Sequence, residues 1–329
     1  MKQKTFHIPV FIPHKGCPHD CVFCNQRKIT GKKDDVTLQK VKEVIDTHLE
    51  TIEKYNVRDT YYAEIAFFGG SFTAIDKILM ENYLKIAHSY VIEKRVDGIR
   101  CSTRPDAIDD EILSLCKKYS MTAIELGVQS ADEDVLKASD RGHSFEDVKK
   151  ASDLIRKYSI ELGIQMMTGL PGDTREKSVD TAKKIVALSP DCVRIYPTLV
   201  MKDTRLYDMY KDGTYKAQKM EDAIEVCKDL VKIFDKHGVK ILRLGLQSTD
   251  TLKDDIEAGP YHEAFAELVY SRLEREKLEE KFLREGIKNE IFYIDTQDKK
   301  ISQIIGHKKE NLDYFKDKYN ITIKLNHKK

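Results

Sequence analysis

Three cysteines of this chain, Cys17, Cys21 and Cys24, fall within the single stretch HKGCPHDCVFCNQ. Their spacing is C-x3-C-x2-C. Thiolates this close can reach one soft metal centre from a single loop. Structural zinc asks for four protein ligands, usually built from C-x2-C pairs, and His14 or His19 could supply the fourth. A [4Fe–4S] cube offers four irons, and three cysteines fill three of them. The fourth iron then keeps an open coordination site, the mark of a catalytic rather than a structural centre. Three ligands fit the cube, with zinc as the alternative. A plain core role does not suit three thiols so dense in a loop that carries Gly16 and Pro18.

Such a loop must be positioned by a scaffold. FHIPVFIP (6–13) reads as a strand, and the cysteines follow it. Val36, Val41, Ile45 and Leu49 then recur at helical spacing over 36–55. Strands at 61–70, 98–106, 122–130, 160–172 and 191–200 alternate with helices at 74–91, 109–119, 144–159 and 178–189, with Ser144 as an N-cap. Near-continuous apolar strands alternating with helices imply a parallel sheet covered by helices. Six β-then-α units could make a doubly wound sheet or a curved partial barrel, and in both, function gathers at the C-terminal strand ends. Gly69 and Gly70, Thr103 and Arg104, Gln129 and Ser130, and Gly169 to Gly172 all sit where a strand ends. After residue 200 the pattern is a helix at 219–238, an extra strand, a helix at 259–285 begun by Gly-Pro, then strand, short helix and strand over 287–329. The expected division is a barrel with its elaboration over 1–250 and a C-terminal extension over 251–329.

The cysteine motif, with Phe23 before its last member, resembles the signature of radical S-adenosylmethionine enzymes. The resemblance implies an α/β fold, a partial (β/α)6 barrel. It also implies a [4Fe–4S] cluster whose free iron chelates S-adenosylmethionine, with an electron donor such as flavodoxin or ferredoxin. One-electron cleavage of the sulfonium would then yield a 5′-deoxyadenosyl radical. FFGGSFTA (67–74) is similar to the glycine-rich motif that binds the methionine amino group, which points to Gly69, Gly70 and Ser71. STRPD, IELGVQS, TGLPG and RIYPTLV follow in order, and this set over residues 7–205 resembles the Elongator catalytic-subunit core, which acts on the wobble uridine of tRNA. GVQS…VLKASDRGHS and TGLPG are also similar to oxygen-independent coproporphyrinogen oxidases. The residues after 260 are too few for an acetyltransferase domain, so the acetyl-CoA reaction of the Elongator family is not carried over. The match is nearer to a short bacterial Elongator-like form.

Within this resemblance, Arg104 and Arg141 can contact the S-adenosylmethionine carboxylate or shield cluster charge, Arg104 with a strand-end salt bridge as its alternative. Thr103 stands beside Arg104. Gln129 and Gln165 suit ribose or methionine hydrogen bonds, since a polar side chain inside a barrel needs a partner. Glu125 lies an even number of residues from Gln129 and so points the same way, with a buried ion pair, Arg104 being a candidate partner, as the alternative. Cys101, Cys116, Cys192 and Cys227 read as core. Tyr196 could face substrate or simply pack.

Net charge is only +1, so the chain as a whole makes no electrostatic case for nucleic acid. The charge is uneven, however. Residues 296–329 hold nine lysines against four acids. IIGHKKENLDYFKDKYNITIKL resembles the helix–loop–helix–strand part of a KH-type RNA-binding fold, in which a G-x-x-G loop clamps the nucleic-acid backbone. Here the loop is Gly306-His307-Lys308-Lys309, without the second glycine; Lys308 and Lys309 would contact phosphate. No export signal or apolar stretch of membrane-spanning length is found, and the expected compartment is the cytoplasm. Three readings follow: a radical enzyme that modifies RNA, with tRNA as the expected class; a radical enzyme for a small molecule or peptide, with the tail as a structural cap; and a zinc-holding RNA-binding module without catalysis.

Overall fold

In a computed structural model, residues 4–12, 17, 20–24, 36–246, 253–288, 290–295 and 300–326 are described. His14 and His19, the alternative zinc ligands, lie outside them, as do Lys299, Lys328 and Lys329.

Seven strands form one parallel sheet: β1 (Lys4–Ile12), β2 (Tyr61–Gly69), β3 (Gly98–Thr103), β4 (Met121–Gln129), β5 (Glu161–Thr168), β6 (Cys192–Pro197) and β7 (Lys240–Leu244). Their spatial order is their chain order. A doubly wound sheet needs a point where the strand order reverses, and there is none here, so every crossover steps the same way and the helices collect on one face. The sheet therefore curls into a half-barrel. The expected six strands are present, and β7 extends them by pairing with β6.

Strand alternation separates the two faces. Ile65, Ile99, Ile124, Ile164 and Val193 point outward into the main core. Their neighbours Glu64, Arg100, Glu125, Gln165 and Arg194 point inward. The outer face is covered by α1 (Leu38–Tyr55), α2 (Lys77–Ile92), α3 (Asp110–Lys118), α4 (Glu133–Ala138), α5 (Phe145–Lys157), α6 (Arg175–Ala187) and α7 (Met220–Lys236). Helix α1 starts because the Thr37 side chain accepts from the Lys40 N–H, and it buries Val41, Ile45, Leu49 and Ile52. Each such aliphatic side chain contributes roughly 1.5–3 kcal/mol when fully buried. Ser144 caps α5 through a complete capping box with Asp147.

The long helix α8 runs over Phe265–Glu285, not from Gly259. Residues 259–265 form hydrogen-bonded turns instead, with Tyr261 N–H donating to Gly259 and Phe265 N–H to His262. Gly259 has a φ of +112°, which a helix cannot use. Phe265, Leu268, Val269 and Leu273 join the barrel core, while Phe282 belongs to a second cluster with Phe315, Ile321 and Ile323. One helix thus serves both cores. The second core is built from β8 (Ile291–Asp295), α9 (Ile301–Ile305), α10 (Glu310–Tyr319) and β9 (Thr322–Asn326), with β8 and β9 parallel. The plain pattern reads one short helix here, whereas two helices followed by a strand are present, the order that the helix–loop–helix–strand resemblance implies. No described helix is long and apolar enough to cross a membrane.

Candidate functional site

The cysteine loop is tied down from below. Val22 is buried against Val200, Leu206 and Tyr215, its N–H donates to the Ser139 carbonyl, and its own carbonyl accepts from Leu206. The flanking Cys21 and Cys24 are thereby held over the C-terminal ends of the strands. All three cysteines line one cleft together with Gly69, Gly70, Arg104 and Gln129. Among the described residues, no three His, Cys, Asp or Glu side chains gather about a single-ion position.

Opposite the loop, β1 and β2 end in close contact. Gly69 has a φ of +118°, and a Cβ there would lie 2.5 Å from the Ile12 carbonyl oxygen. Only glycine fits, and the chain can then turn so that the Gly70 N–H donates to that same oxygen. Ser71 follows, its Oγ 3.5 Å from the Cys17 sulfur. Thr103 is hydrogen-bonded to Thr73 at 2.6 Å and is buried. Arg104 donates through Nε and Nη2 to Asp106, at 2.9 and 3.0 Å, so the strand-end salt bridge is present. Its Nη1, however, is buried with no partner. The same holds for Oε1 of Gln129. Both side chains line the cleft. A buried polar atom left unpaired is costly, and two in one cleft point to a ligand with both a donor and an acceptor.

Arg141 also lines the cleft, and all three of its guanidinium nitrogens are engaged. Nη1 donates to the Cys21 sulfur at 3.1 Å, Nη2 to the Gly127 carbonyl and Nε to Nε2 of His143 at 3.3 Å. Burial, and then the positive charge of Arg141, push the His143 pKa down to about 4. His143 and Asp106 are site residues that the sequence reading misses. The signal for His143 was present in DRGHS, two residues after the arginine.

Glu125 is not among the residues lining the cleft. It lies deeper, where it accepts from Arg100 at 2.8 Å, from Arg194 at 2.6 and 2.9 Å, and from Gln165 at 2.9 Å. Its ion-pair partners are Arg100 and Arg194 rather than Arg104. Even spacing does place Glu125 and Gln129 on one face, but two rungs apart. Burial opposes ionisation of Glu125, yet the hydrogen bonds and charge of Arg194, with Arg100, hold its pKa below the usual carboxylate value. Glu64 extends the network through Arg100 at 2.6 Å and Thr122 at 2.6 Å. Against the cost of burial, His7, Arg100 and Thr122 bring the Glu64 pKa down to about 2. Gln165 bridges the levels, bonding Glu125 below while lining the cleft above. Tyr196 stands two residues beyond Arg194 on β6 and so faces the same interior.

Cys101, Cys116, Cys192 and Cys227 are buried free thiols. Burial raises all four, to about 12 for Cys116, Cys192 and Cys227, so none is a ready thiolate. Lys308 and Lys309 lie in the turn between α9 and α10, exposed and with left-handed backbones. His307 in this turn packs edge-on against His262, ring centroids 5.2 Å apart. His262 lines a small cavity with Pro197, which ends β6, and Leu246, which follows β7. The basic turn therefore sits on the side of the sheet where the strands end.

Family comparison agrees with this geometry. A model described as the Radical SAM superfamily matches residues 11–185, and one described as the Radical_SAM C-terminal domain matches 190–275. An uncharacterized protein of Methanocaldococcus jannaschii is 32% identical, over 79% of this chain and 80% of its own length. A tRNA uridine(34) acetyltransferase of Methanocaldococcus infernus is 29% identical, over 82% of this chain but only 57% of that protein. Among solved structures, the archaeal Methanocaldococcus infernus Elp3 with an N-terminal deletion aligns with a TM-score of 0.68 at 25% identity, covering 84% of this chain and 64% of that one.

Proposed function

Since this chain belongs to the radical SAM superfamily and is a radical SAM enzyme, we propose that Cys17, Cys21 and Cys24 hold a [4Fe–4S] cluster beside an S-adenosylmethionine site and that the enzyme modifies RNA, with tRNA as the substrate class. When bound, cluster and cofactor together supply one-electron cleavage of the sulfonium and a 5′-deoxyadenosyl radical that abstracts hydrogen.

The observation that carries the cofactor reading is the pair of unpaired buried atoms in one cleft with three thiols. Arg104 Nη1 is a cationic donor suited to a carboxylate, and Gln129 Oε1 is an acceptor suited to an ammonium or a ribose hydroxyl. Gly70 and Ser71 line the same cleft as Cys17, with Ser71 Oγ 3.5 Å from its sulfur. Thr103 is fixed by Thr73 and keeps the Arg104 strand end in register. Gln165 is oriented by Glu125, so the buried network below acts on the cleft by holding this amide.

The RNA reading rests on similarity to tRNA-modifying relatives and on the basic turn beside the strand ends. The chain spans 57% of the acetyltransferase relative, and that relative's acetyl transfer is not assigned here. Lys308 and Lys309 would meet phosphates, while the sheet's inner face would receive the base. Titrating RNA binding against salt tests this. Lys308→Ala with Lys309→Ala should lower the salt slope by about 1–2 and weaken binding, with reductive S-adenosylmethionine cleavage unchanged. RNA binding that is absent, or indifferent to salt in the native enzyme, contradicts it and shifts weight to a small-molecule substrate.

A further inference from the structure

Arg104 and Arg141 border the same cleft, yet their guanidinium groups are used differently. Arg104 keeps Nη1 unpaired. Arg141 has no nitrogen left over, because Cys21, Gly127 and His143 take all three. Its position is built by specific residues. A Cβ at Gly127 would lie 3.3 Å from Arg141 Nη2 and 3.1 Å from Gln129 Nε2, so a side chain there would press on both groups. His143 accepts through Nε2, which requires its proton on Nδ1, and Nδ1 is 3.3 Å from the Ser144 carbonyl. The imidazole is therefore held as a neutral acceptor, in keeping with its depressed pKa. Arg141 and His143 are both buried.

We propose that Arg141 is a positioning residue for the cluster: its guanidinium, fixed by His143 and Gly127, donates to the Cys21 sulfur and raises the potential at which the cluster takes up its electron. The inference rests on the cluster reading above. One electron passes from a low-potential flavoprotein or iron–sulfur protein to the cluster; the donor is oxidised by one electron, the cluster is reduced by one, and Arg141 neither gains nor loses a proton. Reduction adds negative charge to a centre already made anionic by its thiolates. A buried cation with a hydrogen bond to a ligand sulfur favours the more negative state.

The test is potentiometry of the anaerobically reconstituted enzyme without S-adenosylmethionine, following the electron paramagnetic resonance signal of the reduced cluster, with iron and sulfide content measured alongside. Arg141→Gln should lower the midpoint so that reduction becomes at least tenfold less favourable, about 59 mV for one electron. Arg141→Lys should shift less. His143→Leu, which keeps the cation but frees Nε, should give an intermediate drop, and His143→Gln should restore the native value. If Arg141→Gln does not hold a full cluster, His143→Leu is read alone. A native midpoint in the fully loaded variants overturns the inference. Failure of the unsubstituted protein to bind iron and sulfide instead overturns the cluster reading itself.

Discussion

Glu125 and Gln129 stand four residues apart on β4 and face the same side of the sheet, but they end in opposite states. Both carboxylate oxygens of Glu125 are occupied, by Arg100, Arg194 and Gln165. Oε1 of Gln129 is buried and bonds nothing. The same contrast separates Arg100, clamped between Glu64 and Glu125, from Arg104, which has one nitrogen unpaired. The floor of the half-barrel is a closed network of two acids and two arginines, and the rim is a set of groups with valences to spare. A fold can carry a buried charge as structure only if every lone pair and proton is matched. Incomplete matching at the rim marks where a ligand completes the set.

The floor should be the costlier place to cut. Glu125→Leu removes every acid partner of Arg194 and one of Arg100, and should destabilise the protein by about 3–5 kcal/mol, read as a lowered Cm in denaturant. A shift no larger than that of a surface substitution would erase the distinction between the regions. Next in size is a pH effect at the rim. The His143 pKa is depressed to about 4 in the fold, against 6.5 ordinarily. Between these values the unfolded chain binds more protons than the folded one. Stability from this group is therefore complete above pH 6.5 and lost as pH falls to 4, by about 3 kcal/mol at most. Apoprotein with His143→Gln should show a flatter stability profile over that window, measured by denaturant titration at successive pH values. Arg104→Gln should act on binding: affinity of the oxidised, reconstituted enzyme for S-adenosylmethionine should fall about 10- to 100-fold in equilibrium binding, with less loss of stability than at Glu125. An affinity change at Glu125→Leu larger than at Arg104→Gln would reverse the two roles. The smallest effect belongs to neither region. Ser144→Ala should cost about 1 kcal/mol through the α5 cap and leave cofactor affinity alone.

Much of this division can be read from the chain. Alternating apolar runs and helical periods specify the strands and helices, and the cysteine spacing and strand-end glycines mark the rim. Periodicity of two even assigns Glu125 and Gln129 to one face. It does not carry depth, and depth decides which is structure and which is site. Arg100 and Arg194 sit in strands as isolated charges, with no motif to tie them to a glutamate 25 or 69 residues away. The start of α8 at Phe265 is likewise hidden, because the turns over 259–265 depend on contacts with the end of β6. His143 is visible as a residue but not as a partner, since its role depends on Arg141 being held also by the Gly127 carbonyl of β4.

The central claim is that three thiolates hold a cube whose fourth iron is open to S-adenosylmethionine. The direct measurement is anaerobic reconstitution with iron and sulfide, followed by reduction with dithionite in the presence of S-adenosylmethionine and assay for 5′-deoxyadenosine. The account predicts a brown protein with about four irons per chain, visible absorbance that bleaches on reduction, release of 5′-deoxyadenosine, and loss of all three when Cys17, Cys21 or Cys24 is replaced by Ala. A colourless protein holding stoichiometric zinc, or one whose metal is lost with His19→Ala, would contradict it.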